Sequence, residues 1–140
     1  MRLVRKVFLT ALLALLLAAC ETISPFSQKA YELSTATKAE ALALMDKANE
    51  PANSHEVAIQ TLQLNLEKGY EYARGRPKNE DSTRQWEILR DPVKNSIGGF
   101  LARWKERKQL SAAFIKEAKP VISDGFDQVI ELESGKRKAN

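Results

Sequence analysis

Cys20 is the only thiol in the chain, and it closes the run Leu17-Ala18-Ala19-Cys20 directly behind an apolar stretch. A single cysteine cannot staple the fold through an intrachain disulfide. Other reactive centres are scarce. His55 is the only imidazole, so the convergent His and Cys ligands of a zinc centre are missing, and neither a metal nor a cofactor is expected. Covalent haem attachment needs C-x-x-C-H, which is absent. Met45 and His55 flank an expected turn and are the one pair a bundle could offer to haem; a core methionine and an exposed first-turn histidine are the simpler account. Glu71, Glu80, Asp81, Glu87 and Asp91 gather around one connection and the helix after it. Acid–base chemistry would need one of them buried and another ionised, whereas a solvated helix face needs neither. No G-x-S-x-G, P-loop or G-x-G-x-x-G run occurs, so no catalytic residue is assigned and the chain is not expected to be an enzyme.

The residues ahead of Cys20 have the layout of an export signal. Arg2, Arg5 and Lys6 supply positive charge, Val7 through Leu17 the apolar run, and Ala18 and Ala19 the small residues before a cleavage site. The run is shorter than the roughly 20 residues that span a bilayer, which favours cleavage over retention. Arg5-Lys6 is not a twin-arginine pair, so the general secretory route is expected. Over residues 1–21 the chain resembles bacterial lipoproteins. The resemblance implies that Cys20 becomes the first mature residue, with diacylglycerol on its sulfur and an acyl group on its amine. Two or three chains at about 0.8 kcal/mol per buried methylene would hold the protein on a membrane. It also implies a periplasm-facing domain on the cell membrane or outer membrane. Aspartate after the cysteine favours inner-membrane retention, and Glu21 leans the expectation toward the outer membrane.

Removing that signal changes the charge. The whole chain carries 22 Lys and Arg against 18 Asp and Glu; three of the bases lie in residues 1–19, leaving 19 against 18. A net charge of +1 gives no global support for nucleic-acid binding. What remains is one domain's worth of chain, able to bury a core without disulfides.

Apolar residues then recur at three and four residue steps, with no sustained period-two segment. The expected fold is all-α: an up-down bundle of about four helices over residues 25–135, behind a lipidated cysteine and tether at 20–24 and ahead of a loose basic tail at 136–140. Pro25 suits a first helical position, with Phe26, Ala30, Leu33, Thr37, Ala41, Leu44 and Ala48 as the buried stripe. Asn53 and Glu56 have capping-box spacing before Ile59, Leu62, Leu66, Tyr70 and Ala73. Asn79, Asp81 and Ser82 offer caps to a third element carrying Trp86, Leu89, Val93, Ile97, Phe100 and Trp104. Ser111 caps a fourth carrying Phe114, Ala118, Ile122, Phe126, Val129 and Leu132. Breaks are expected near Pro92, Gly98-Gly99 and Pro120.

Two groups of residues stand out as candidate contact surfaces for a partner or ligand. Tyr72 lies off its helix stripe beside Arg76 and near Trp86, a composition common at interfaces, although packing of the loop explains it as simply. Trp86, Phe100 and Trp104 lie on a glycine- and proline-interrupted element and would line a groove if those helices pack unevenly; a large aromatic core is the competing account. The resulting expectation is a non-catalytic, lipid-anchored envelope protein that contacts another envelope protein or peptide. A small-molecule or lipid-binding bundle is the alternative. Mass spectrometry of the native product should find a diacylglyceryl group on Cys20 and no leader; an unmodified thiol or a retained leader would remove the basis for the anchor.

Overall fold

The computed structural model describes residues 23–138. The export signal and Cys20 fall outside the described residues, as do the last two of the tail. Five helices and no strand are found among the described residues: α1 (Gln28–Met45), α2 (Glu56–Arg74), α3 (Glu80–Arg90), α4 (Ile97–Arg107) and α5 (Ala112–Gly135). Single 3-10 turns, Ala52–His55 and Lys136–Lys138, precede α2 and follow α5. None of the described helices is long and apolar enough to cross a membrane.

The bundle is the expected up-down one, with its third leg split in two. α1 lies against α2 and α5, and α3 lies against the same two helices from the other side. α4 follows α3 and reaches the 3-10 turn before α2. Apolar periodicity sets this arrangement: Ala41, Leu44 and Met45 of α1 meet Ile59, Leu62 and Leu66 of α2, with Phe126 and Val129 of α5, in one core. Ser34 and Thr37 sit buried in the α1 stripe because each hydroxyl donates back to a carbonyl one turn earlier, Ala30 and Leu33 respectively.

The ends of the helices depart from expectation where a competing bond wins. Pro25 lies before the helix, and Ser27 caps α1 by accepting from the Ala30 N–H at 3.2 Å. α2 begins with a 3-10 turn and has no side-chain cap. Asp91 is extended, as a residue before proline prefers, and its carboxylate accepts from the Val93 N–H at 2.9 Å. The chain restarts as α4 only at Ile97. That detour breaks the helical phase and leaves Val93, expected inside, 86% exposed.

Gly98-Gly99 and Pro120 do not break helices. Both glycines lie in the first turn of α4, where a Cβ on Gly98 would come within 2.5 Å of the Arg90 carbonyl and one on Gly99 would overlap the Lys94 carbonyl. They let the start of α4 press onto the α3–α4 connection. Pro120 sits on the exposed side of α5, and the helix runs through it. An interior proline costs about 3 kcal/mol. Ile115, Ile122, Phe126 and Val129, each stabilising by about 1.5–3 kcal/mol when buried, outweigh that cost. The tail is not loose at its start: Lys136 is 6% exposed and its side chain is fully bonded.

Both ends of the bundle are closed by a lysine with left-handed backbone. Lys78 (φ 54°) presents its carbonyl to the Ser24 N–H at 2.9 Å, and Lys108 (φ 68°) presents its own to the Ala52 N–H at 2.8 Å. Leu110 N–H donates to the Ala48 carbonyl beside the second contact. Between these ends Trp86 seats its indole on Gly69 of α2, where an added Cβ would come within 2.5 Å of the ring, and meets Phe126 edge-on at 6.4 Å. Gly69→Ala should therefore destabilise the domain by about 1–3 kcal/mol through overpacking, although alanine is the better helix former. Urea unfolding of the two proteins checks this, and unchanged stability would mean that Trp86 is not seated there.

Candidate functional site

The most organised polar site lies at the end of the bundle where α1 begins, α2 ends, α3 begins and α5 ends. α5 and the 3-10 turn after it carry the pattern Phe126, Val129, Glu133, Lys136 at three and four residue steps, so the apolar face runs on into a carboxylate and an ammonium. Glu133 is buried there. Its Oε2 accepts from Arg76 Nη1 at 3.0 Å and from Lys136 Nζ at 2.8 Å, while Oε1 accepts from the Ser27 N–H at 2.6 Å. Lys136 also donates to Asn79 Oδ1 at 2.6 Å and to Ser82 Oγ at 3.3 Å, giving its three N–H groups three acceptors. Asn79 Nδ2 donates to the Ala73 carbonyl at 2.9 Å, and Arg76 donates a further bond to the Pro25 carbonyl. Tyr72 Oη shares a 2.8 Å hydrogen bond with Ser27 Oγ, and Arg76 lies over the Tyr72 ring at 5.9 Å.

Burial pushes the Glu133 carboxyl up, but the bonds from Lys136, Arg76 and the Ser27 N–H outweigh it and hold the group below the ordinary carboxylate value. The cluster thus fixes an ionised carboxylate between two cations. Its lining leaves a gap of only about 10 Å³, too small for any ligand beyond a water. Chemically it is a joint.

The five candidate contact residues do not form one surface. Tyr72 and Arg76 meet in the joint, where they hold the segment before α1, and Tyr72 keeps 37% of its surface exposed. Trp86, 3% exposed, is core. Trp104, 0% exposed, is core at the opposite end, donating Nε1–H to the Glu50 carbonyl at 2.9 Å. Neither indole offers a surface, because helical phase turns both inward. Phe100 is mostly buried but contributes to the floor of a cleft. Met45 is a core residue, while the His55 imidazole lies 2.7 Å from a Glu50 carboxylate oxygen and 5.5 Å from the Trp104 ring.

Several clefts open to solvent among the described residues, two of them above 300 Å³. One, of about 320 Å³, lies between α4, α5 and the α3–α4 connection, lined by Phe100, Phe114, Ala118 and Ile122 with Pro92 and Val93 at its side. Phe100 and Phe114 stack at 6.0 Å, and Arg103 covers Phe114 at 4.9 Å. The other, of about 520 Å³, lies at the end remote from the joint, between Pro51–Asn53, Glu56, Lys105 and Lys108. The carboxylate group is spread out: Glu71 pairs with Arg74, and Glu80 and Glu87 share a shallow furrow with Arg74, Arg76 and Arg84. Among the described residues no three His, Cys, Asp or Glu side chains are placed to hold a metal ion.

Glu133 and Lys136 are joint residues that the sequence does not single out, and Asn79 and Ser82, expected as caps, both accept from Lys136. The available signal is a carboxylate in the apolar phase of α5. Comparison with known proteins finds no matching family model, no significantly similar curated protein and no significantly similar solved structure.

Replacing Glu133 leaves two cations facing each other in a buried site, which costs about 3 kcal/mol. Glu133→Gln should lower the thermal midpoint at neutral pH. Because the folded carboxyl has a depressed pKa, its contribution is complete above the unfolded value of about 4.3 and fades as pH falls through the folded one. The gap between wild type and Glu133→Gln should therefore shrink in acid. Calorimetry across that range checks it, and a gap independent of pH would refute the ionised role.

Proposed function

We propose that this protein is a lipid-anchored lipoprotein of the cell envelope whose helical domain works without catalysis, by contact with another envelope protein or peptide. The cleft between α4 and α5 carries the contact part of this reading. Its floor is a stacked aromatic pair continued by Ala118 and Ile122, and Val93 extends the apolar lining out to the rim. Lys94, Asn95, Ser96, Arg103 and Glu106 also line the cleft, so a small apolar floor sits inside a mostly polar rim carrying both signs of charge, which suits an amphipathic helix or peptide.

The anchor part rests on the resemblance of residues 1–21 to lipoproteins. Acyl chains on Cys20 would confine the domain to a membrane surface, facing the periplasm, and raise its concentration relative to partners in the same envelope. Nucleic acid is not among the proposed partners. A small-molecule reading has one observation in its favour, since both clefts fall within the roughly 300–1,000 Å³ of ligand sites. Both are open furrows, which suits a macromolecular partner better than an enclosed ligand.

A photo-crosslinking residue placed at Val93 should yield a discrete protein adduct in native envelopes, and one at Val57, exposed on α2, should not. Ala118→Arg, which fills the cleft, should abolish the Val93 adduct while leaving helical content unchanged. No adduct from Val93 beyond that from Val57 would sink the contact site.

A further inference from the structure

On the proposed reading of Cys20 as the lipidated residue, on which this inference rests, the anchor is very close to the folded domain. Only Glu21, Thr22 and Ile23 separate that cysteine from Ser24, which is buried and bonded through its N–H to the Lys78 carbonyl. Four residue steps of extended chain reach at most about 14 Å. The headgroup layer on one side of a bilayer is itself about 5–7 Å deep. Ser24 would therefore be held close to the lipid interface.

The segment Pro25–Ser27 is fastened to the bundle. The Pro25 carbonyl accepts from Arg76, the Phe26 ring lies 4.1 Å below the Arg137 guanidinium, and the Ser27 N–H and Oγ are taken by Glu133 and Tyr72. Every one of these partners belongs to the same end of the bundle. The other end, where Ala48 and Ala52 meet Leu110 and Lys108, lies about 28 Å away, the length of the 19-residue α2.

We infer that the end of the bundle built from Ser24–Ser27, Arg76–Glu80 and Gly135–Arg137 is seated against the lipid headgroups, with the helices standing away from the membrane and the Pro51/Lys108 end presented outward. The Arg76–Glu133–Lys136 joint sets this geometry. With the joint closed the leash is four residues; with it open the leash runs from Cys20 to Gln28, eight residues and about 29 Å, enough to let the domain tumble. The seating rests on the short leash and not on a basic patch, because exposed Arg74, Lys78 and Arg137 share this end with exposed Glu71, Glu80 and Asp81. It should therefore persist at high salt, unlike an electrostatically docked surface, which a short Debye length would release.

The test uses the full, processed protein in vesicles of phosphatidylethanolamine and phosphatidylglycerol with a headgroup-attached energy acceptor. Glu80→Cys and Asn53→Cys, both exposed, carry a thiol-linked donor at the seated and outward ends. Transfer should be several-fold stronger from position 80 than from 53 and unchanged by salt. A flexible Gly-Ser insertion between Glu21 and Thr22 should erase that difference without altering the fold, and Arg76→Ala should reduce it. Equal transfer from both positions in the uninserted protein, or a difference that survives the insertion, overturns the seating. Failure of the underlying reading shows itself separately: an unlipidated Cys20 would take up the thiol label and the protein would not sediment with the vesicles.

Discussion

Glu133 is a carboxylate buried between Arg76 and Lys136 while also receiving the Ser27 N–H. The extended chain before α1, the loop after α2 and the turn after α5 meet on it directly, and Lys136 links it to the start of α3 through Asn79 and Ser82. Removing three charged groups from water is expensive, and an apolar substitute would often be at least as stable. What the charged cluster adds is register. Apolar helix faces tolerate sliding by part of a turn, whereas an ammonium that needs three acceptors within hydrogen-bond distance tolerates much less.

The remainder of the fold is consistent with that fixed end. Once α2, α3 and α5 are held together there, Gly69 comes opposite Trp86, and the indole fills the space between α2 and α5 with Phe126 on its edge. At the far end the clasp is made of backbone, through Ala48, Ala52, Lys108 and Leu110, with the Trp104 indole donating to the Glu50 carbonyl behind it. The two ends thus differ in kind. One is a charged joint holding the segment closest to Cys20 in the chain, and the other is a set of main-chain bonds beside an open cleft. Surface pairs such as Lys119–Asp46 and Lys105–Glu56 lie in solvent, where water and salt screen them, and they decide neither arrangement.

A division of labour suits the proposed role. Contact surfaces on an anchored protein are useful only if the anchor leaves them accessible, and here the aromatic cleft lies along α4 and α5, away from the segment that leads to Cys20. The detour Asp91–Ser96 that spoils helical continuity is also what lifts Val93 and Pro92 to the rim of that cleft. The irregular stretch of the third leg therefore adds apolar lining that the two helices would not have made by packing straight.

The sequence by itself determined the all-α class, the four legs, the restart after Asp91-Pro92, the Ser111 cap and most of the core, because amphipathic period, proline chemistry and capping act over a few residues. Tertiary structure decided the rest. Pro120 passes through α5 because the buried face on either side outweighs its cost, and Gly98-Gly99 serve close approach to Arg90 and Lys94 rather than breaking α4; both depend on neighbours outside their own helical turn. Tyr72 and Arg76 are legible as unusual, but their partners Ser27 and Glu133 lie 45 and 57 residues away. Glu133 and Lys136 look like the ordinary charged end of a helix. Whether a charge is solvated or buried is settled by which segment covers it, and no local pattern records that.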